Sequence, residues 1–302
     1  MIDIILFFGM KISCILQSVK KRKGENMLRL DNKKLPKKFK MFIWYLMSFQ
    51  AGYVNVGGFL IFGSFVSHVT GTSSQIGMGI AGFDIEKIIT FMTILLSFIL
   101  GAGFAGYNIG NKQVNGEKPK YVFVTGVKAL LFFGVLLVSE IYFNDNSIAI
   151  KLIIIHLLSF VCGIQNATCS QATNGFLKPT HMTGLSTDIG INLFKYVKAD
   201  PSDGVKAVEV QKNKTRMKIL GSFIAGGAIA FFIFSQNGHY GFLFPFISSL
   251  AMLYTSIVAE KFEGVAQDLK TDLRRRFKLA QLSLTGIVAT TVLIGVVGFF
   301  IK

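Results

Sequence analysis

His68-Val-Thr-Gly-Thr-Ser-Ser-Gln-Ile-Gly77 returns in the same chain as His181-Met-Thr-Gly-Leu-Ser-Thr-Asp-Ile-Gly190, identical at six of ten positions and with a Ser/Thr exchange at a seventh. Both copies are rich in hydroxyls and glycine, both carry a histidine, and both lie in a chain that is 51% hydrophobic. A helix that only crosses a bilayer has no structural need for such a run. The duplication therefore marks an internal repeat and the place to look for chemistry.

Around the two copies the chain alternates apolar runs with short charged blocks. The apolar runs are long enough to cross a hydrocarbon layer of ~30 Å as helices of roughly 20 residues. They cover about 41–62, 87–109, 121–143, 148–170, 217–235, 242–259 and 279–301. The two motif segments, about 65–82 and 180–196, are too polar and too short in apolar residues to span comfortably. The formal charge of +16 would suggest nucleic acid in a soluble domain. Here the lysines and arginines sit between apolar runs, where they orient helices, so no nucleic-acid role is implied and anionic lipid is the natural partner. Cys14, Cys162 and Cys169 lack CxxC spacing and any metal-ligand pattern with histidine. They read as small apolar packing residues, with no metal, cofactor or disulfide implied.

Residues 1–19 are apolar but interrupted by Asp3 and Lys11, and the basic block Lys20-Lys-Arg-Lys23 follows them. A cleavable signal carries its charge first, so this segment is either a marginal extra helix or leader upstream of a start at Met27. Residues 1–40 thus form an apolar leader and a basic arm. The linkers 111–120, 195–218 and 260–278 are basic as well, whereas 84–86, 144–147 and 236–241 are acidic or neutral. If both motif segments crossed fully, the 111–120 loop with Lys112, Lys118 and Lys120 would land outside. If each dips in and returns, or completes a broken helix with its neighbour, every basic block falls on the cytoplasmic side. The expected fold is all-α and membrane-embedded. It has two inverted-topology repeats, 41–143 and 148–259, each of three transmembrane helices plus a re-entrant or broken segment. A basic linker and an appended C-terminal helix follow at 260–302. Matches outside the motif support the pairing: Gly52-Tyr-Val-Asn55 with Gly163-Ile-Gln-Asn166, and Ser97-Phe-Ile-Leu-Gly101 with Ser222-Phe-Ile-Ala-Gly226. Inverted repeats with interrupted segments are a transporter design.

Within the motif, Thr70-Gly71-Thr72 and Thr183-Gly184 offer what a backbone break needs, and Thr72-Ser-Ser-Gln75 fits a capping box that would start a half-helix there. A half-helix start favours an anion or the negative end of a dipole. The substrate-binding candidates are accordingly Asn55, Thr70, Gly71, Thr72, Ser73, Asn166, Thr183, Gly184 and Ser186. Either solute contact or interhelical hydrogen bonding would suit the two asparagines. His68, His181 and Asp188 are candidates for proton or ion coupling, or for hydrated groups at the interface. His156 reads as a relay group or a simple interhelical partner. Ala102, Gly106 and Gly110, spaced by four, read as a surface for close helix contact.

These paired motifs resemble the YoaK-like DUF1275 (UPF0700) family of bacterial integral membrane proteins. Gly52-Tyr-Val-Asn55, Val69-Thr-Gly71, Gly163-Ile-Gln-Asn-Ala167 and Thr183-Gly184 carry the resemblance, which covers about 41–259. It implies a multi-pass protein of the bacterial inner (plasma) membrane, of about six spans, and no particular substrate. The family tends to have an acidic residue where Asn55 stands and asparagine where Thr72 stands.

The function expected from the residues is a secondary transporter or permease for a small polar solute, with its site at the repeat interface between the two Thr-Gly motifs. The alternatives are a channel with paired re-entrant loops, or a structural membrane protein whose duplicated motif only packs. An enzyme is not expected: the chain has no HExxH, no GxSxG and no phosphate loop.

Overall fold

The computed structural model describes residues 37–145, 147–195 and 204–262. The apolar segment 1–19, most of the basic arm and the appended helix expected at 279–301 lie outside the described residues. Eight principal helices follow in order: α1 Lys37–Phe62, α2 Val69–Ala81, α3 Ile85–Ala105, α4 Tyr121–Asp145, α5 Ile148–Ala172, α6 Met182–Lys195, α7 Gly204–Asn237 and α8 Leu243–Phe262. A π-helical turn, Gly106–Asn111, and a short helical tail, Lys112–Val114, prolong α3, and a 3-10 turn, Gly238–Phe242, joins α7 to α8. The motif segments are the short helices α2 and α6.

Among the described residues, four helical stretches are long and apolar enough to cross a membrane: Ile85–Val114, Tyr121–Tyr142, Ile148–Ala172 and Lys206–Glu260, the last carrying both α7 and α8. Their outward faces bear Ile85, Ile99, Leu100, Leu130, Ile141 and Ile224, each more than half exposed. Such continuous apolar surface is what lipid tails cover. Helix α1 is long enough but carries Ser48, Gln50 and Asn55, whose side chains all find partners within the bundle.

Contacts between helices fix their directions. Ser48 bonds the Ile219 carbonyl, Gly52 abuts Phe223 and Gly57 abuts Phe234, so α1 and α7 run parallel. Thr93 meets His156, Phe98 meets Gly163 and Gly110 meets Gln171, so α3 and α5 also run parallel. Lys118 with Glu260, Lys128 with Met252, and Phe133 with Phe246 set α4 and α8 antiparallel. Tyr53 reaching Gly241 while Gln50 reaches Ser249 sets α1 against α8. Helices α1, α4 and α7 therefore point one way and α3, α5 and α8 the other. Neither motif segment carries the chain across: α3 starts on the side where α1 ends, and α7 on the side where α5 ends.

The two parallel crossings are built alike. A Cβ on Gly52 would overlap the Phe223 carbonyl oxygen, and one on Gly226 the Phe49 carbonyl oxygen. In the other crossing Gly101 meets the Phe160 carbonyl and Gly163 the Phe98 carbonyl in the same way. Backbone thus lies directly against backbone, and glycine is required because any side chain would part the helices. The small-residue series read from the sequence takes part in the α3–α5 crossing at two of its three positions: a Cβ on Gly110 would meet the Gln171 side chain, and the Ala102 nitrogen lies against Gly163. Gly106 has open space where its side chain would be, and the residue that makes the approach is Gly101, one before Ala102. His156 is an interhelical partner: it joins the Leu152 carbonyl of its own helix to the Thr93 hydroxyl on α3. The stretch expected as a linker up to 218 is helical from Gly204, which extends α7 well past its apolar part.

Candidate functional site

Each motif helix is tied down by an asparagine on the preceding long helix. Asn55 Oδ1 accepts from the Ser67 backbone N–H at 3.1 Å and from its hydroxyl at 2.9 Å. Asn166 Oδ1 accepts from the Thr180 N–H at 3.0 Å, and its Nδ2 donates to the Thr180 hydroxyl at 2.5 Å. Asn55 lies seven residues before the end of α1, about 10 Å down the helix. The loop after α1, launched by Gly63 at φ +70, therefore turns back along the bundle before α2 begins. The same construction serves α6. At 13 and 14 residues, α2 and α6 are roughly 20 Å long, short of the ~30 Å hydrocarbon layer.

The histidines close the motif. His68 is the N-cap of α2, its carbonyl accepting from the Thr72 N–H at 3.0 Å. The His181 carbonyl does the same for the Leu185 N–H at 3.2 Å. Their rings lie over the first turn: a Cβ on Gly71 would come within 2.5 Å of His68 Nδ1, and one on Gly184 within 2.5 Å of His181 Cε1. The expected break at Thr70-Gly71 and Thr183-Gly184 is therefore corrected. The helix runs straight through both, and the glycines are seats for imidazoles. The expected capping box at Thr72 is corrected too, because Asn55 pins Ser67 and starts the helix earlier. Thr72, Ser73 and Ser74 instead donate to the carbonyls of His68, Val69 and Thr70, four residues back. Thr72 and Leu185, the chemically unlike pair, are both buried. Thr70, Ser73, Thr183 and Ser186 are exposed, as are both histidines. Asp188 faces Arg216 of α7 at 3.4 Å. The motif residues thus gather into two separate clusters, one per half. Neither the cavity beside Lys128 nor the one beside Trp44 is lined by them.

The bundle interior holds a different polar site, where α1, α4, α5 and α8 meet. Lys128 of α4 is 2% exposed. Its Nζ donates to Gln50 Oε1 at 3.0 Å, to Gln165 Oε1 at 3.4 Å and to Met252 Sδ at 3.1 Å. Both carboxamides are held with their oxygens toward the ammonium. Gln50 Nε2 donates to the Pro245 carbonyl and the Ser248 and Ser249 hydroxyls at 2.7–2.9 Å. Gln165 Nε2 donates to the Met47 carbonyl at 2.5 Å. Among the described residues no carboxylate reaches Lys128. Beside it lies a cavity with about 20 Å³ of free volume, walled by Ile43, Met47, Thr125, Thr168 and Ser256 among others. A larger cavity of about 390 Å³, between Trp44, Phe176 and Gln211, opens near the start of α7.

Residues 43–255 match the family described as a protein of unknown function, DUF1275. The chain belongs to the DUF1275 family. Comparison with curated proteins and comparison with solved structures both find no match. In this DUF1275 protein the residue that sequence reasoning passed over is Lys128. The signal was present: a lone lysine inside the apolar stretch Tyr121–Tyr142, where an ionisable group is costly enough to suggest a role. Gln165 was passed over for its neighbour Asn166, yet consecutive helix residues point about 100° apart. They serve two sites here, Asn166 the motif loop and Gln165 the interior.

Proposed function

We propose that this protein is a secondary transporter or permease for a small polar solute in the cell membrane, and that the solute passes the Gln50–Lys128–Gln165 cluster. One observation carries this reading. A lysine has been withdrawn from water at the meeting of the two halves and given only neutral acceptors. Gln50 and Lys128 come from residues 41–143, Gln165 and Met252 from 148–259. Withdrawing an ammonium from water costs several kcal/mol, which packing alone does not explain. A deletion strain carrying the wild-type chain, screened for uptake of and resistance to small polar solutes, should gain a phenotype. The same strain carrying Lys128→Met should lack it at equal membrane abundance. Full restoration by Lys128→Met would remove the interior cluster from the function. The structural alternative has one observation in its favour: Thr72, Ser73, Ser74 and Thr187 use their hydroxyls inside their own helices.

The same reading takes the halves as inverted repeats. Three features support it: α1 and α5 run oppositely, the two glycine crossings correspond, and the two asparagine anchors correspond. The basic linkers are then cytoplasmic. In a chain whose native cysteines have been replaced, Lys118→Cys and Glu86→Cys should label from opposite faces of intact cells. Labelling of both from one face would overturn the topology.

A further inference from the structure

The interior cluster is selective by sign. We propose that Lys128 and Ser256 form a site for a small monovalent anion of about halide size, the class of solute or co-transported ion that the permease reading requires at this point. Three observations lead there, and the proposal rests on that reading only for what the site does.

The first is charge. Lys128 brings one ammonium, and its three partners are two carboxamide oxygens and a thioether. A cation entering beside it would meet repulsion in an apolar surround, whereas an anion would hold Lys128 as an ammonium and complete the pair, taking the N–H that now points at Met252 Sδ, the weakest of its three acceptors. One lysine balances one negative charge.

The second is the set of hydroxyls on the cavity wall. Thr125, Thr168 and Thr255 donate to carbonyls of their own helices, Tyr121, Ile164 and Met252. Their hydrogens are therefore committed. Ser256 is 4% exposed and lines the same cavity. Its hydroxyl has no hydrogen-bond partner among the described residues and, unlike the sealed Trp44 Nε1, keeps a little accessible surface at the cavity wall. It is the free donor that an anion held near Lys128 would take up.

The third is size. About 20 Å³ of free volume accommodates one water-sized group, so a bulky carboxylate or sugar phosphate does not fit this arrangement. The rest of the wall is largely apolar, with Ile43, Met47, Val124 and Ile164. A low-dielectric wall strengthens a single ion pair.

The test uses the full chain purified in detergent, melted in chloride, bromide, nitrate or formate, with gluconate as the bulky control at equal ionic strength. At about ten times the dissociation constant, a fitting anion should raise the melting temperature by roughly 2–4 °C. Lys128→Met should melt cooperatively and show no anion-specific rise. Ser256→Ala should keep the rise but need about ten- to a hundredfold more anion. No rise with any of the four small anions, an equal rise with gluconate, or a rise that survives Lys128→Met would each overturn the site. The permease reading fails separately. A Lys128-dependent rise without anion efflux from proteoliposomes, read with a chloride electrode, keeps the anion site and ends the transport reading. Lys128-dependent uptake of a neutral solute without any anion-specific rise keeps transport and ends the anion class.

Discussion

Gly163→Ala is expected to disable the fold of this protein, while Gly103→Ala, on a neighbouring helix, is expected to leave it unharmed. At Gly163 a Cβ would overlap the Phe98 carbonyl oxygen and lie 2.9 Å from the Ala102 nitrogen and 3.0 Å from the Phe98 carbonyl carbon. All of these atoms are backbone, and none can rotate away. The helices α3 and α5 would have to separate along their crossing, so the cost should reach the upper end of overpacking, about 3 kcal/mol or more. Gly103 has nothing within 4 Å of the added carbon, and alanine there gains up to about 1 kcal/mol of helix propensity. Gly71→Ala should fall between them. Its obstacle is the His68 ring, and a side chain can turn aside where a carbonyl cannot. Thermal melts in detergent and membrane abundance, measured on all three variants, check the order. If Gly103→Ala is as damaging as Gly163→Ala, the close crossing is not what holds these helices together.

That order could not have been set from the chain alone, and the reason separates what was legible from what was not. Apolar runs and charged linkers are properties of contiguous sequence. The span expected at 148–170 accordingly appears as Ile148–Ala172, and the motif segments appear as short helices. The asparagine anchors were half legible: Asn55 and Asn166 stood out as a matched pair, but their partners Ser67 and Thr180 emerge only when the loop folds back. From the sequence, Gly71 and Gly184 point to the freedom that glycine gives a backbone. Their use is instead to leave room for the histidine three residues earlier, a through-space relation that requires an unbroken helix. The polar start of α7 read as a linker because its charges show no apolar face to a periodicity search. Lys128 was hidden by the same rule that explained the other basic residues, which assigns lysines to loops. Its partners lie 78 and 37 residues away in the chain, and no spacing pattern links them.

Those partners provide the last expected result. Gln50→Leu should destabilise the bundle by about 2–3 kcal/mol, because it takes a charge-assisted bond from Lys128 and strips the Ser248 and Ser249 hydroxyls of their donor. Lys128→Met should be neutral or stabilising, by up to about 4 kcal/mol, since an unbranched apolar side chain replaces a buried ammonium without leaving a charge behind. The two effects should not add. With methionine at 128, Gln50 no longer holds a charge, and the cost of Gln50→Leu should shrink by about 1.5–3 kcal/mol. Melting the wild type, both single variants and the double variant measures that coupling directly. A coupling near zero would mean that Gln50 does not hold Lys128 and that the cluster is not one unit. A Lys128→Met chain that is as stable as the wild type or more so, yet restores no phenotype, would have a definite meaning. It would show that the lysine is retained at a cost in stability, as groups kept for function commonly are. Loss of activity could then be assigned to the missing charge, because the scaffold that carried it would still be intact.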